Sequence, residues 1–212
     1  MKKLFALLLA VAMIASLSVC AFAEPALKVA VVLAGATGDR SFYDSANDGL
    51  KKLVDAGKVE GTLIECKNDA SMFTSNLISA AESNDVVVAV GWEFWDALAE
   101  YAPQLPDTKF IFIDNGLDGV GDNLMSITYA QNEGSFLVGY IAGKLSTTGK
   151  IGAVGGEDSE TINDFIVGYE AGAKLANENV EVQVQYAGTY DDPAKGKELA
   201  LALYDAGCDV VF

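Results

Sequence analysis

Two short segments carry residue types that could do chemistry. The first is Gly35-Ala36-Thr37-Gly38, directly after an apolar run at residues 27–33. Its spacing approaches the glycine-rich turn that cradles a phosphate at the mouth of a dinucleotide fold. A phosphate cradle also needs a third glycine at the helix start and no competing anion, yet Asp39 follows at once, with Ser41 and Phe42 behind it. A reading as a dinucleotide-dependent oxidoreductase is therefore set behind the others. The second segment is Asp39-Arg40-Ser41-Phe42-Tyr43-Asp44, placed where an open α/β sheet binds its ligands, at a strand's carboxyl end and a helix start. A ring beside Ser and Asp suits a flat ligand with polar edges: Phe42 stacks, while Asp39, Ser41 and Asp44 exchange hydrogen bonds. The same pattern lets Phe42 staple the helix onto the core, and the loop alone leaves both roles open.

Catalysis finds little support elsewhere. The chain has no histidine, so zinc chemistry and every Ser/His or Cys/His arrangement lack their usual base. Beyond the N-terminal segment two cysteines remain, Cys66 and Cys208, without CxxC spacing; two free buried thiols are favoured over a disulfide. Asp191 and Asp192 read as a helix cap and a first-turn charge, not as a catalytic pair. Trp92 and Trp95 flank Glu93 after another apolar run; Trp92 is a candidate for lining a ligand cleft, and Trp95 is expected in the core. No catalytic residue, metal site or cofactor is expected, and the chain reads as a binder, not an enzyme.

The elements that must position these residues alternate regularly. Strand-like stretches at 27–33, 62–65, 86–90, 110–113 and 124–129, most of them apolar, are separated by helical stretches, one carrying Ala46, Leu50, Leu53 and Val54 on one face and the next Phe73, Leu77 and Ala81. Runs without alternation imply strands covered on both faces, hence parallel, doubly wound sheets of the α/β class. A second series follows: helix 132–145, strand 150–154, a helix bearing Ile162, Phe165, Ile166, Tyr169 and Ala173, an edge-like strand at 180–186, and a helix to Ala206 opened by Asp192-Pro193. Asp209-Val210-Val211-Phe212 looks like the start of another buried strand, so further chain is expected beyond it.

The N-terminus sets the compartment. Lys2 and Lys3 precede an apolar run from Leu4 to Ile14 and the sequence Ala21-Phe22-Ala23, the pattern of a signal peptide over residues 1–23. Two fates stay open: cleavage after Ala23, or lipid anchoring at Cys20, for which the preceding Val19 is an unfavourable neighbour. Either way the protein is expected outside the cytoplasm, on the outer face of the cell membrane or in the periplasm. The formal charge of −16 becomes −18 once Lys2 and Lys3 are removed, which argues against nucleic acid as a partner and fits a solvated surface.

Five stretches in order, Asp39-Arg40-Ser41-Phe42, Phe112-Ile113-Asp114-Asn115, residues 132–143, Gly149-Lys150-Ile151-Gly152 and residues 168–173, resemble the basic membrane protein family, the substrate-binding components of ABC importers whose best understood members capture purine nucleosides. The resemblance implies a type I periplasmic-binding-protein fold, two α/β lobes closing on a ligand about a hinge. Lobe one would cover residues 24–129 and lobe two 130–212, with the C-terminal part of the fold missing from this chain. It also implies that Phe42 stacks on a base, that Asp114 binds ribose hydroxyls, and that Tyr190, in Gly188-Thr189-Tyr190-Asp191-Asp192-Pro193, supplies the second-lobe ring. Tyr43 stands where the family has asparagine and Arg40 where it has lysine, two departures beside the expected base-stacking ring. The expected function is capture of a nucleoside-like small molecule and delivery to an ABC permease; a ligand-sensing receptor of the same fold is the alternative.

Overall fold

A computed structural model describes residues 26–212; the signal segment and Cys20 lie outside the described residues. The chain divides into two compact units, one ending at Ile127 and the other covering Thr128–Phe212.

The first unit is a five-stranded sheet with strands β1 (Leu27–Leu33), β2 (Val59–Glu65), β3 (Val86–Val90), β4 (Lys109–Ile113) and β5 (Leu124–Ile127). Their order is β2-β1-β3-β4-β5, and every neighbouring pair is parallel. Helices α1 (Phe42–Asp55), α2 (Ala70–Ser83) and α3 (Trp95–Tyr101) follow β1, β2 and β3. Successive residues of β1 serve opposite faces: Ala30 and Val32 join a core with Leu77, Leu98, Phe110 and Phe112, while Val29, Val31 and Leu33 join another with Leu50 and Val90. Two buried faces explain the apolar run from Val29 to Leu33. Burying a ring such as Phe110 or Phe112 contributes on the order of 1.5 to 3 kcal/mol.

Two expectations about packing shift. Leu53 and Val54 remain about two-fifths exposed, because α1 lies over β2, an edge strand that offers Gly61 to Val54 and Leu50 and little further cover. Trp95 is also exposed, at 42%, and its expected core place is taken by Phe94, which is fully buried. A tight 3-10 turn over Trp92–Phe94 changes the helical phase just before α3 and turns Phe94 inward, edge-to-face with Phe73 at 5.6 Å between ring centres.

The second unit has β6 (Lys150–Gly155), β7 (Glu181–Tyr186) and β8 (Val210–Val211) in the order β7-β6-β8, all parallel, with β7 at an edge. Its helices are α4 (Gln131–Leu145), α5 (Glu160–Ala176) and α6 (Pro193–Asp205). The α4–α5 pair is held backbone against backbone. A methyl group on Gly139 would overlap the carbonyl of Tyr169, and one on Gly172 the carbonyl of Phe136; at Gly143 it would stand 2.6 Å from the Ala173 oxygen. Two glycine pairs at four-residue spacing, Gly139 with Gly143 and Gly168 with Gly172, thus allow the helices to meet more closely than side chains permit. At the end of α4, Asp209 ties β8 to the turn before β6: its carboxylate accepts from Ser146 Oγ at 2.6 Å, Thr147 N at 2.6 Å, Thr147 Oγ1 at 2.8 Å and Thr148 N at 3.1 Å. The Ser146 hydroxyl first, and then the Thr147 amide, hold this acid well below the usual carboxylate range.

Two outcomes follow from the second unit. Gly172→Ala forces the helices apart and should lower stability by about 2 kcal/mol or more in chemical denaturation, whereas Gly196→Ala, with nothing within 4 Å of the added methyl, should be neutral or mildly stabilising. For Asp209, a depressed folded pKa means stability that is present above the unfolded value of about 4 and lost as pH falls below it. Thermal midpoints of wild type and Asp209→Ala should therefore differ most near neutrality and converge in acid.

Candidate functional site

The loop after β1 is organised by carboxylates. Asp39 accepts from Ser41 N at 3.0 Å, Tyr43 N at 2.9 Å and Asp44 N at 3.1 Å, so it satisfies the first amides of α1 from two residues before Ser41, the N-cap position. Desolvation pushes the Asp39 carboxyl up, but the surrounding backbone N–H groups together outweigh it and hold the group below its ordinary value. Asp44 reaches back to Gly38 N and Arg40 N, both at 2.8 Å. Glu65, at the end of β2, accepts from Thr37 N at 2.8 Å and Thr37 Oγ1 at 2.6 Å, and the Thr37 hydroxyl is the main cause of its lowered pKa.

These contacts settle what the glycine-rich turn does. The amides of Thr37, Gly38 and Arg40, which a phosphate would need, already bind side-chain carboxylates, and the Tyr43 ring lies directly against Gly35. Anionic side chains fill the cradle. The same contacts engage Asp39 and Asp44, both expected to touch ligand, with their own loop. Ser41 makes no side-chain cap bond and stays exposed. Phe42 is half-buried: it packs on the cluster around Val29, Leu33 and Leu50 and lies 5.2 Å from the Tyr43 ring centre, so the staple and an accessible ring coexist.

Asp114 stands at the carboxyl end of β4. Its backbone is left-handed, with φ 74°, and its amide donates to Ile127 O at 2.9 Å. Aspartate is among the few residues that tolerate this conformation. The carboxylate is half-buried, and among the described residues no hydrogen bond to it is found; desolvation alone pushes its pKa up. Trp92, just past β3, is 47% exposed. Because β1, β3 and β4 are neighbours in a parallel sheet, Ser41, Phe42, Trp92 and Asp114 all belong to loops at one sheet edge, the edge where open α/β sheets take ligands.

Tyr190 belongs to the second unit, in the turn between β7 and α6, and 49% of it is exposed. That turn is fixed to the end of β6 by Gly188 N to Gly156 O at 2.7 Å and Thr189 N to the same oxygen at 3.2 Å. Asp192 caps α6 by accepting from Lys195 N at 2.9 Å, the role expected of it. Cys66 and Cys208 are both free and buried. Among the described residues no group of three His, Cys, Asp or Glu side chains could hold a metal ion, and no helix is long and apolar enough to cross a membrane. The roles missed by sequence reasoning are those of Glu65 and the glycines under the aromatic rings; Gly155-Gly156 directly after a strand was the available signal for the latter.

Residues 26–212 match the model of a family described as ABC transporter substrate-binding protein PnrA-like. Basic membrane protein A of Borreliella burgdorferi is 37% identical over 186 residues, which is 87% of this chain and 55% of that protein. The ABC transporter nucleoside-binding protein BmpA of Lactococcus lactis is 38% identical over 191 residues, 88% of this chain and 54% of that one. An ABC transporter solute-binding protein from Aeropyrum pernix superposes with a TM-score of 0.79 at 30% identity, covering 87% of this chain and 54% of its own. A Burkholderia graminis solute-binding protein in complex with D-arabinose, 18% identical with a TM-score of 0.69, covers 87% of this chain and 64% of its own and shares the fold. The chain spans about half the length of the curated relatives it matches.

Asp114 makes a sign-definite prediction. An acid whose pKa is higher folded than unfolded costs the folded state stability once ionised, fully above the folded pKa and not at all below the unfolded one. Asp114→Asn keeps the left-handed backbone and removes the charge, so the ligand-free variant should melt above wild type at pH 7. Calorimetric scans should show that gain shrinking as pH falls from neutrality toward the ordinary carboxylate value of about 4 and gone below it; a gain that grows in acid contradicts the assignment.

Proposed function

Because the chain belongs to the PnrA-like family of ABC transporter substrate-binding proteins, we propose that it captures a nucleoside-like small molecule outside the cytoplasm and delivers it to an ABC permease. The α/β fold, built of parallel sheets, is the one shared by periplasmic-binding-protein-type solute receptors. The signal segment supports export, with cleavage after Ala23 or lipid anchoring at Cys20 as the two fates. The name of the Lactococcus lactis relative supports a nucleoside as ligand class.

The observation that carries the reading is Asp114. A carboxylate kept half-buried at the ligand-taking edge of a parallel sheet, desolvated and without a hydrogen-bonded partner among the described residues, costs stability and awaits donors. A ribose diol supplies two hydroxyl donors and no competing negative charge. In this proposal Asp114 accepts from the sugar, Ser41 donates to it or to the base edge, and Trp92 lines the site. Phe42 and Tyr190 are the rings proposed to stack on a base. Asp39 and Asp44 act indirectly, by holding the loop that carries Ser41 and Phe42. A carboxylate acceptor, aromatic faces and no nucleophile–base pair suit binding without turnover.

Calorimetric titration with purine nucleosides tests the assignment. Stacking is worth about 1 to 3 kcal/mol per base, so Phe42→Ala and Tyr190→Ala should each weaken binding about 5- to 150-fold, while Tyr190→Phe changes it little. Asp114→Asn should weaken it by about 1 to 3 kcal/mol. If wild type binds a 2′,3′-dideoxynucleoside as tightly as the parent, Asp114 does not read a sugar. If Tyr190→Ala binds as tightly as wild type, the ligand is not a stacked base.

A further inference from the structure

We propose that Gly156 is a positioning residue for the ligand site: the bare backbone at the end of β6 is the bed on which the Tyr190 ring is held ready to stack. This rests on the reading of Tyr190 as a base-stacking residue and adds what makes it one.

Two independent features of one glycine meet at this ring. The first is space. A methyl group built on Gly156 would overlap Tyr190 Cε1 and Cδ1 and come within 3.2 Å of Cζ, so the ring lies directly against the glycine. The second is the loop. Gly156 O accepts from both Gly188 N and Thr189 N, at 2.7 and 3.2 Å, and Gly155 O accepts from Ala187 N at 2.9 Å. Gly188 turns the chain with φ 75°, and Asp191 N then donates to Thr189 Oγ1 at 3.1 Å. The residue that seats the ring thus also anchors the two amides preceding it. Tyr190 is nonetheless 49% exposed, so a ring supported on one side keeps a large surface accessible.

A side chain immobilised before binding has less freedom to lose when a ligand arrives. An aromatic ring seated against backbone on one side can offer its other side to a planar partner. Tyr190 therefore contributes fully only if position 156 has no Cβ. Any larger residue there must push the ring off its bed while leaving every ligand-touching group chemically intact.

The experiment compares Gly156→Ala, Tyr190→Ala and the double variant in the full chain, by calorimetric titration with adenosine, guanosine, inosine and uridine. Tyrosine-selective ¹³C labelling reports the ring resonance of Tyr190, assigned by its absence in Tyr190→Ala. We expect Gly156→Ala to shift that resonance in the ligand-free protein and to weaken binding at least about 3-fold, no further than Tyr190→Ala does. In the double variant the alanine at 156 should cost nothing beyond the loss of the ring. Should Gly156→Ala fail to fold while the double variant folds, the clash with the ring is confirmed. Should the double variant also fail to fold, the glycine serves the chain and not the ring, and the inference is overturned. An unmoved resonance, or undiminished affinity in Gly156→Ala where Tyr190→Ala binds weakly, also overturns it. Binding unaffected by Tyr190→Ala, or no nucleoside bound by wild type, overturns the base-stacking reading itself, and the inference with it.

Discussion

Backbone amides at the end of a parallel strand must find acceptors, and in the first unit side-chain carboxylates supply them. Asp39, Asp44 and Glu65 together accept from seven groups of the loop after β1 and the start of α1. Everything the loop presents depends on that. Because Asp39 caps α1 from a distance, the Ser41 hydroxyl is released from capping, and because Asp44 closes the turn, Phe42 starts a helix whose packing on Leu50 and Val29 fixes its ring. The same contacts exclude one chemistry, since a turn whose amides already hold anionic oxygens has no field left for a phosphate.

The second unit reaches rigidity by a different route, the removal of side chains. Glycines on α4 and α5 let two helices touch through their carbonyls, and Gly156 lets a ring lie on a strand end. In both cases a missing Cβ substitutes contact with a stiff backbone for contact with a mobile side chain. The price in each case is chain entropy, which glycine loses more heavily than other residues on folding. Asp209 adds a charge-assisted tie at the other end of the sheet and spans more than sixty positions to do so.

This division explains what could be read from the sequence. Strands buried on both faces announced themselves as unbroken apolar runs, and Asp192-Pro193 announced a helix start, because both signals are local. The pairing of Glu65 with Thr37, 28 positions away, and that of Asp209 with Thr147, 62 positions away, leave no local trace. Trp95 was expected inside because helical spacing alone cannot register the 3-10 turn that rotates Phe94 into the core instead. The α4–α5 contact was visible in principle as glycines four apart in two successive helical stretches, a pattern that composition dilutes among 21 glycines. Of the candidate site, residue types and their places at strand ends were legible; which carboxylates hold the loop and which one stays open was not, since Asp39, Asp44 and Asp114 are chemically alike.

That last distinction is where function enters. Asp39 and Asp114 both follow strands of one sheet, yet backbone amides lower the pKa of one and burial raises that of the other. An acid surrounded by donors is satisfied and structural, whereas an acid that is desolvated and unanswered lowers the stability of the ligand-free state. Under the proposed function a donor-bearing ligand would relieve that cost on binding, so part of its affinity would come from a cost already present in the empty protein. The left-handed backbone at Asp114 adds to the cost. Selection for folding alone would favour asparagine or glycine at such a position; under the proposed function, the hydroxyl groups of the ligand answer the carboxylate there.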